Sequence, residues 1–439
     1  MWHDLRNVLV KYTIPPQGGG EPIECATLKC FKHKRAHYSR QTTTKDTSQL
    51  LFPPLSSLHP SSSFTWRLAV FYAALFVALG VQLPFLPLWL AAKGLDAGAI
   101  GVALALPMIV RVFAIPLATR GADRHDALRT AILIAAGMAV LGYGVVGLAQ
   151  GAAAITMALA LASAFYTPIM PLADAYALRG LGGLKRAYGP VRLWGSAAFI
   201  VGSFGAGLLL ERIGASDLIW LVVAALTITA AAAYALSPLA AREKGLSATR
   251  VSSAQDLLRD PAFLTAAAAA SLIQASHAIY YGFSALDWQA AGLDGGAIGA
   301  LWALAVVAEI ALFAISGRLP LAPTTLLMLG AAGAVVRWSA MAFDPPPALL
   351  VPLQCLHALS FGATHLGALG VVARAAPAEL GATAQGYLAV ALGLVMAAAM
   401  GLSGALYARF GGLAYGAMAL AAAAGGIFAW VAHRLADGR

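Results

Sequence analysis

Charge is scarce in this 439-residue chain: Asp, Glu, Lys and Arg together make up 11% of it, where soluble domains carry about a quarter. That excludes a water-soluble globule, and 60% hydrophobic residues with a mean hydropathy of +0.76 place the chain in lipid. Cysteine is nearly absent as well. Three thiols, with Cys355 inside an apolar run, imply no disulfide framework. The sequence has no GxxxxGK(S/T) phosphate loop, so ATP-driven transport would need a partner chain. It also has no HExxH or GxSxG motif, which leaves an intramembrane enzyme built on His357 or His365 without support.

What the chain has in quantity is long apolar runs. Twelve are read at 68 to 90, 98 to 118, 127 to 148, 152 to 178, 190 to 210, 217 to 238, 261 to 285, 296 to 316, 321 to 343, 346 to 369, 381 to 403 and 410 to 433. Each is close to the ~20 residues that cross a bilayer as a helix. The runs are continuous, whereas barrel strands of about ten residues would alternate apolar and polar. The fold class is therefore an all-α membrane protein with twelve transmembrane helices. Basic loop residues, among them Arg120, Arg124, Arg179, Lys185, Arg186, Arg318 and Arg374, gather on one side, while Lys93, Arg212 and Arg409 lie on the other. That bias predicts cytoplasmic termini. The formal charge of +10 then reflects topology, not a nucleic-acid surface.

Residues 1–65 differ in kind, with a GGG run, Pro pairs and a Ser/Thr-rich stretch but no apolar periodicity. They read as a disordered tail or a spurious extension. Acidic residues at Asp4, Glu21, Glu24 and Asp46 argue against a transit peptide. Cys25, Cys30 and His33 in CATLKCFKH lack a second ligand pair, so neither metal nor cofactor is expected.

The rest of the chain is duplicated. GLDAGAIG at 94–101 returns as GLDGGAIG at 292–299, a displacement of 198 residues (94 to 292) that also pairs Phe85 with Phe283 and Arg120 with Arg318. GLLLERIG at 207–214 returns as GALYARFG at 404–411. Two six-helix bundles follow, at 66–238 and 261–439, joined by a charged cytoplasmic linker at 239–260. Six is even, so both copies run the same way through the membrane.

Twelve spans in two halves, with ATRGADRHDALR after the second span, resemble the major facilitator superfamily, although Thr119 stands where that family usually carries Gly. More specific are YGPVRLWGSAAFIVGS at 188–203, HAIYYGFSALDWQAAG at 277–292 and LWALAVVAEIALFAIS at 301–316. These are similar to the 3-phenylpropionic acid transporter branch, a group of proton symporters related to sugar and nucleoside symporters. The resemblance implies uptake of a small aromatic carboxylate with protons across the inner membrane, by a monomer embedded in the lipid bilayer. The alternative cargo is a nucleoside, a sugar or an exported drug, since fold does not fix substrate.

Charges inside the spans are costly, about 2.5–3.5 kcal/mol each on insertion scales, so they face a cavity or one another. Arg111, Asp174, Glu309 and Arg337 are such residues, with His277, His357 and His365. The displacement that pairs the copies carries Arg111 onto Glu309 (111 to 309). Facing each other across the cleft, they would pair until a carboxylate took the guanidinium and left Glu309 to bind a proton. The alternatives are a permanent ion pair that holds the bundles in register, or two charges each satisfied within its own bundle. His277, Tyr281 and Trp288 form a stripe on the seventh helix with Tyr280 beside it, and His357 and His365 sit on a similar stripe in the tenth. His277, Tyr280, Tyr281, Trp288 and His357 are expected to bind an aromatic substrate with Arg111, and His365 is expected with Glu309 in proton coupling. Each lone His could instead make an interhelical hydrogen bond. Asp174 and Arg192, near the cytoplasmic ends of the fourth and fifth helices, are expected as a gate or structural ion pair, as is Arg337.

Overall fold

A computed structural model describes residues 60–239, 257–319, 321–375 and 381–437. CATLKCFKH and most of the linker lie outside the described residues. The helices are α1 (Pro60–Ala92), α2 (Ala97–Arg124), α3 (Leu128–Leu148), α4 (Ala152–Tyr166), α5 (Ile169–Gly183), α6 (Gly189–Ile213) and α7 (Leu218–Tyr234) in the first half. The second half has α8 (Pro261–Ala275), α9 (Ala278–Ala290), α10 (Gly295–Ser316), α11 (Pro323–Met341), α12 (Pro347–Cys355), α13 (Thr364–Ala375), α14 (Gly381–Phe410) and α15 (Tyr415–Asp437). Among the described residues there is no strand.

Twelve crossings result among the described residues, because α4–α5, α8–α9 and α12–α13 are each one broken span. The final 54-residue apolar stretch would be about 80 Å long as one helix, and it folds back at the turn Gly411–Ala414 into α14 and α15. The first helix starts at Pro60, ahead of the apolar run read from residue 68.

The breaks have local causes. Pro168 separates α4 from α5, since its ring and missing N–H interrupt the ladder. Between α8 and α9 the Ser276 hydroxyl donates to the Ile273 carbonyl at 2.6 Å, and His277 Nδ1 approaches the Ile273 and Gln274 carbonyls at 3.2 and 3.1 Å. These side chains take over acceptors that the continuing helix would have used. The tenth crossing widens into a π turn at Ala358–Ala363, an element frequent at functional sites.

The duplicated GLDxGAIG segments fold alike. Gly94 and Gly292 turn the chain at φ +83° and +89°, and then Asp96 and Asp294 cap α2 and α10 by accepting from the N–H of Ala99 at 2.8 Å and Ala297 at 2.7 Å. At this end the halves touch through backbone. α2 meets α14 where a Cβ on Gly101 would lie 2.8 Å from the Gly404 Cα. α6 meets α10 where a Cβ on Gly207 would lie 2.0 Å from the Gly295 oxygen, and the Ser203 hydroxyl donates to the Gly299 carbonyl at 3.1 Å. Two glycine seams related by the repeat therefore shut this end.

Candidate functional site

Below the seams lies a cavity of about 170 Å³. Its polar lining comes from the first half: Gln82 of α1, Arg111 of α2, Tyr143 of α3, and Ser163, Tyr166 and Thr167 at the end of α4. Tyr281 of α9 and Met400 of α14 close it from the second half. Pro87 and Pro107 also line it, within α1 and α2, where proline costs a backbone bond and loosens the helix. The remaining wall is largely Leu and Met.

Arg111 has no ion-pair or hydrogen-bond partner among the described residues, and its side chain is exposed. Ser163 and Thr167 spend their hydroxyls on their own helix, at Ala160 O (2.6 Å) and Ser163 O (2.8 Å). Gln82 Nε2 donates to the Tyr143 hydroxyl at 2.5 Å, while Gln82 Oε1 is buried without a partner.

A second polar cluster fills the C-terminal bundle. Arg337 is 0% exposed. Its Nη2 donates to Gln354 Oε1 at 2.6 Å, and its Nη1 to His357 Nδ1 at 3.0 Å and Ser360 Oγ at 3.4 Å. The guanidinium lies 4.4 Å from the Tyr280 ring and 4.5 Å from the Trp338 ring, a desolvated cation–π arrangement. Tyr280 also donates to Gln354 Oε1, at 3.1 Å. Since guanidinium can only donate, His357 Nδ1 must accept, and the ring proton sits on Nε2. That N–H faces Glu309 Oε2 at 3.8 Å, on a carboxylate 18% exposed. His277 Nε2 lies 3.1 Å from Ser360 Oγ. The π turn thus serves two needs, carrying Ser360 to His277 and Arg337 while His357 bridges Arg337 and Glu309.

Of the residues singled out in the sequence, Arg111 and Tyr281 line the cavity. His277, Tyr280, Trp288 and His357 are buried inside the C-terminal bundle. Arg111 and Glu309 form no ion pair among the described residues. The packing explains this, because α2 lies against α14 and α10 against α6. Arg192 stands on α6, the helix that packs against α10, with its guanidinium 4.1 Å over the Phe76 ring. His365 stacks beside Phe361 at 6.2 Å. Asp174 does not pair with Arg192 among the described residues; it accepts from the hydroxyls of Tyr72 at 2.6 Å and Tyr188 at 2.7 Å. Gln82, Tyr143 and Tyr166 escape a sequence reading that weighs charges and histidines, although Gln82 is a lone amide in a very apolar first span.

Residues 65–424 match the MFS_1 like family. Over 362 residues the chain is 33% identical to the probable 3-phenylpropionic acid transporter of Escherichia coli (strain K12), covering 81% of this chain and 94% of that one. It is 30% identical over 345 residues to the maltose permease of Geobacillus stearothermophilus, covering 76% and 87%. The crystal structure of a mutant of the nucleoside transporter NupG superposes with a TM-score of 0.74 at 16% identity, over 85% of this chain and 99% of that one. The chain belongs to the MFS_1 like family, whose members are multi-pass membrane transporters of the major facilitator fold and not enzymes.

Proposed function

We propose that this transporter takes up a small aromatic carboxylate, such as 3-phenylpropanoate, together with protons across the inner membrane, with both termini in the cytoplasm. The observation that carries the reading is Arg111, a permanent cation without an acid partner among the described residues, on an otherwise mostly apolar cavity. A guanidinium fork accepts a carboxylate in bidentate fashion, and the Leu and Met wall with Tyr281 suits the ring. The match to a probable 3-phenylpropionic acid transporter supports the same cargo.

Coupling is assigned to Glu309. His357 Nδ1 already accepts from Arg337, so a second ring proton would cost that bond, which favours Glu309 over His357 as the proton carrier. Ionised, Glu309 is drawn to Arg192 on the other bundle; protonated, it no longer is. Proton binding therefore loosens one electrostatic link between α6 and α10, and substrate on Arg111 adds its own bias. Uptake of labelled 3-phenylpropanoate into proteoliposomes under an imposed proton gradient tests the reading. Accumulation that collapses with a protonophore is expected. Absent accumulation, or accumulation indifferent to the gradient, overturns it, and maltose or nucleoside competition would then point to the other cargo classes.

A further inference from the structure

We propose that Gln82 recognises a hydroxyl group on the aromatic ring, so that the preferred cargo is a hydroxylated aryl carboxylate. The proposal rests on the aromatic-carboxylate reading above and refines it. Gln82 commits Nε2 to Tyr143 at 2.5 Å and leaves Oε1 buried with no donor. An acceptor withdrawn from water without a partner is destabilising, and two of the lining hydroxyls, Ser163 and Thr167, give their protons to their own helix.

The missing partner has to be a donor. A carboxylate only accepts, and an unsubstituted phenyl ring offers nothing. An ammonium group would donate, but it would share a cavity of about 170 Å³ with the Arg111 guanidinium, where like charges repel. A phenolic O–H donates without charge. Placement agrees: α1 and α2 run antiparallel, and side chains lean toward their own helix N-terminus, so Gln82 and Arg111 lean toward each other over one cavity. One ligand can therefore present its carboxylate to Arg111 and its ring hydroxyl to Gln82. A single neutral hydrogen bond gives about a two- to tenfold preference.

The test uses the full chain in proteoliposomes. Unlabelled 3-phenylpropanoate, its 3-hydroxy and 4-hydroxy ring derivatives and the matching methoxy acids compete with labelled 3-phenylpropanoate. At least one hydroxy acid is expected to compete about three- to tenfold better than the parent, its methoxy analogue no better, and the advantage to fall within about twofold in Gln82→Leu. Should Gln82→Leu fail to insert, Gln82→Met repeats the comparison, and the unsubstituted protein's ranking stands by itself. The proposal is overturned if neither hydroxy acid outcompetes the parent, if methoxy matches hydroxy, or if the advantage survives loss of the amide. Uptake of the parent acid with no hydroxyl preference sinks this inference alone, whereas no uptake of any of these acids sinks the cargo reading with it.

Discussion

Replacing Gly207 with alanine tests whether the glycine seams set the conformational equilibrium. The new Cβ would sit 2.0 Å from the Gly295 carbonyl oxygen, where ordinary contact begins at 3.4 Å. Backbone lies on both sides, so no side chain can swing aside. Overpacking of this kind costs about 1–3 kcal/mol. The contact exists only when this end is shut, so the cost falls on the shut state and spares the fold as a whole. A shift of about 1–3 kcal/mol changes a two-state ratio by about 5- to 150-fold, and alternating access depends on that ratio. Spin labels at positions 212 and 289, on the two sides of the α6–α10 seam in a cysteine-free background, read the separation directly. Gly207→Ala should move the distance distribution to a longer population and slow uptake. Gly205→Ala is the control, on the same helix with nothing within 4 Å of its Cβ, and should leave both unchanged. If Gly207→Ala keeps the original distribution, or Gly205→Ala shifts it as far, the seams do not govern access.

Arg192→Gln and Glu309→Gln should each weaken gradient-driven accumulation, and the double variant should fall short of their summed effect; initial uptake rates decide it. Arg337→Met leaves Gln354 Oε1 its bond from Tyr280 but strips His357 Nδ1 of its donor while buried, so thermal unfolding in detergent should reveal a loss of about 1–3 kcal/mol. Asp174→Asn keeps a carbonyl oxygen for the Tyr72 and Tyr188 hydroxyls and should cost about 1 kcal/mol or less, while Asp174→Leu strips both bonds and should cost clearly more in the same melt.

The crossings are legible in the sequence because lipid imposes one rule, that every backbone group be satisfied within its own helix, and apolar length records it. The paired caps at Asp96 and Asp294 stand within the repeated GLDxGAIG segments, where capping is a local matter. Partner choice is not legible. Matching Arg111 to Glu309 uses depth, which the repeat supplies, but an ion pair also needs lateral position, and that depends on which helix packs against which. α10 lies beside α6, so Glu309 meets the field of Arg192. Asp174 likewise finds uncharged partners, Tyr72 and Tyr188, because a phenol satisfies a carboxylate in lipid without importing a second charge. A search weighted toward charges passes over such residues, and it passes over Gln82 for the same reason.

The repeat is kept at the seams and abandoned in the interior, and that contrast divides labour between the halves. The displacement that pairs Gly101 with Gly299 also pairs Gln82 with Tyr280, Leu104 with Trp302 and Arg111 with Glu309 (82 to 280, 104 to 302, 111 to 309). In the first copy Gln82, Leu104 and Arg111 all border the cavity. In the second copy Tyr280 and Trp302 stack at 4.5 Å and the Arg337 guanidinium lies against the same tyrosine, so the corresponding space is filled by aromatic rings and a buried cation. Close backbone contact tolerates only glycine, which holds both copies to one solution at the seal. At Gln82 and Leu104 the substitution of two larger rings in the second copy exchanges a cavity for a packed polar network. One copy borders most of the cavity, the other holds a carboxylate 3.8 Å from a fixed imidazole, and the glycine seams join the two.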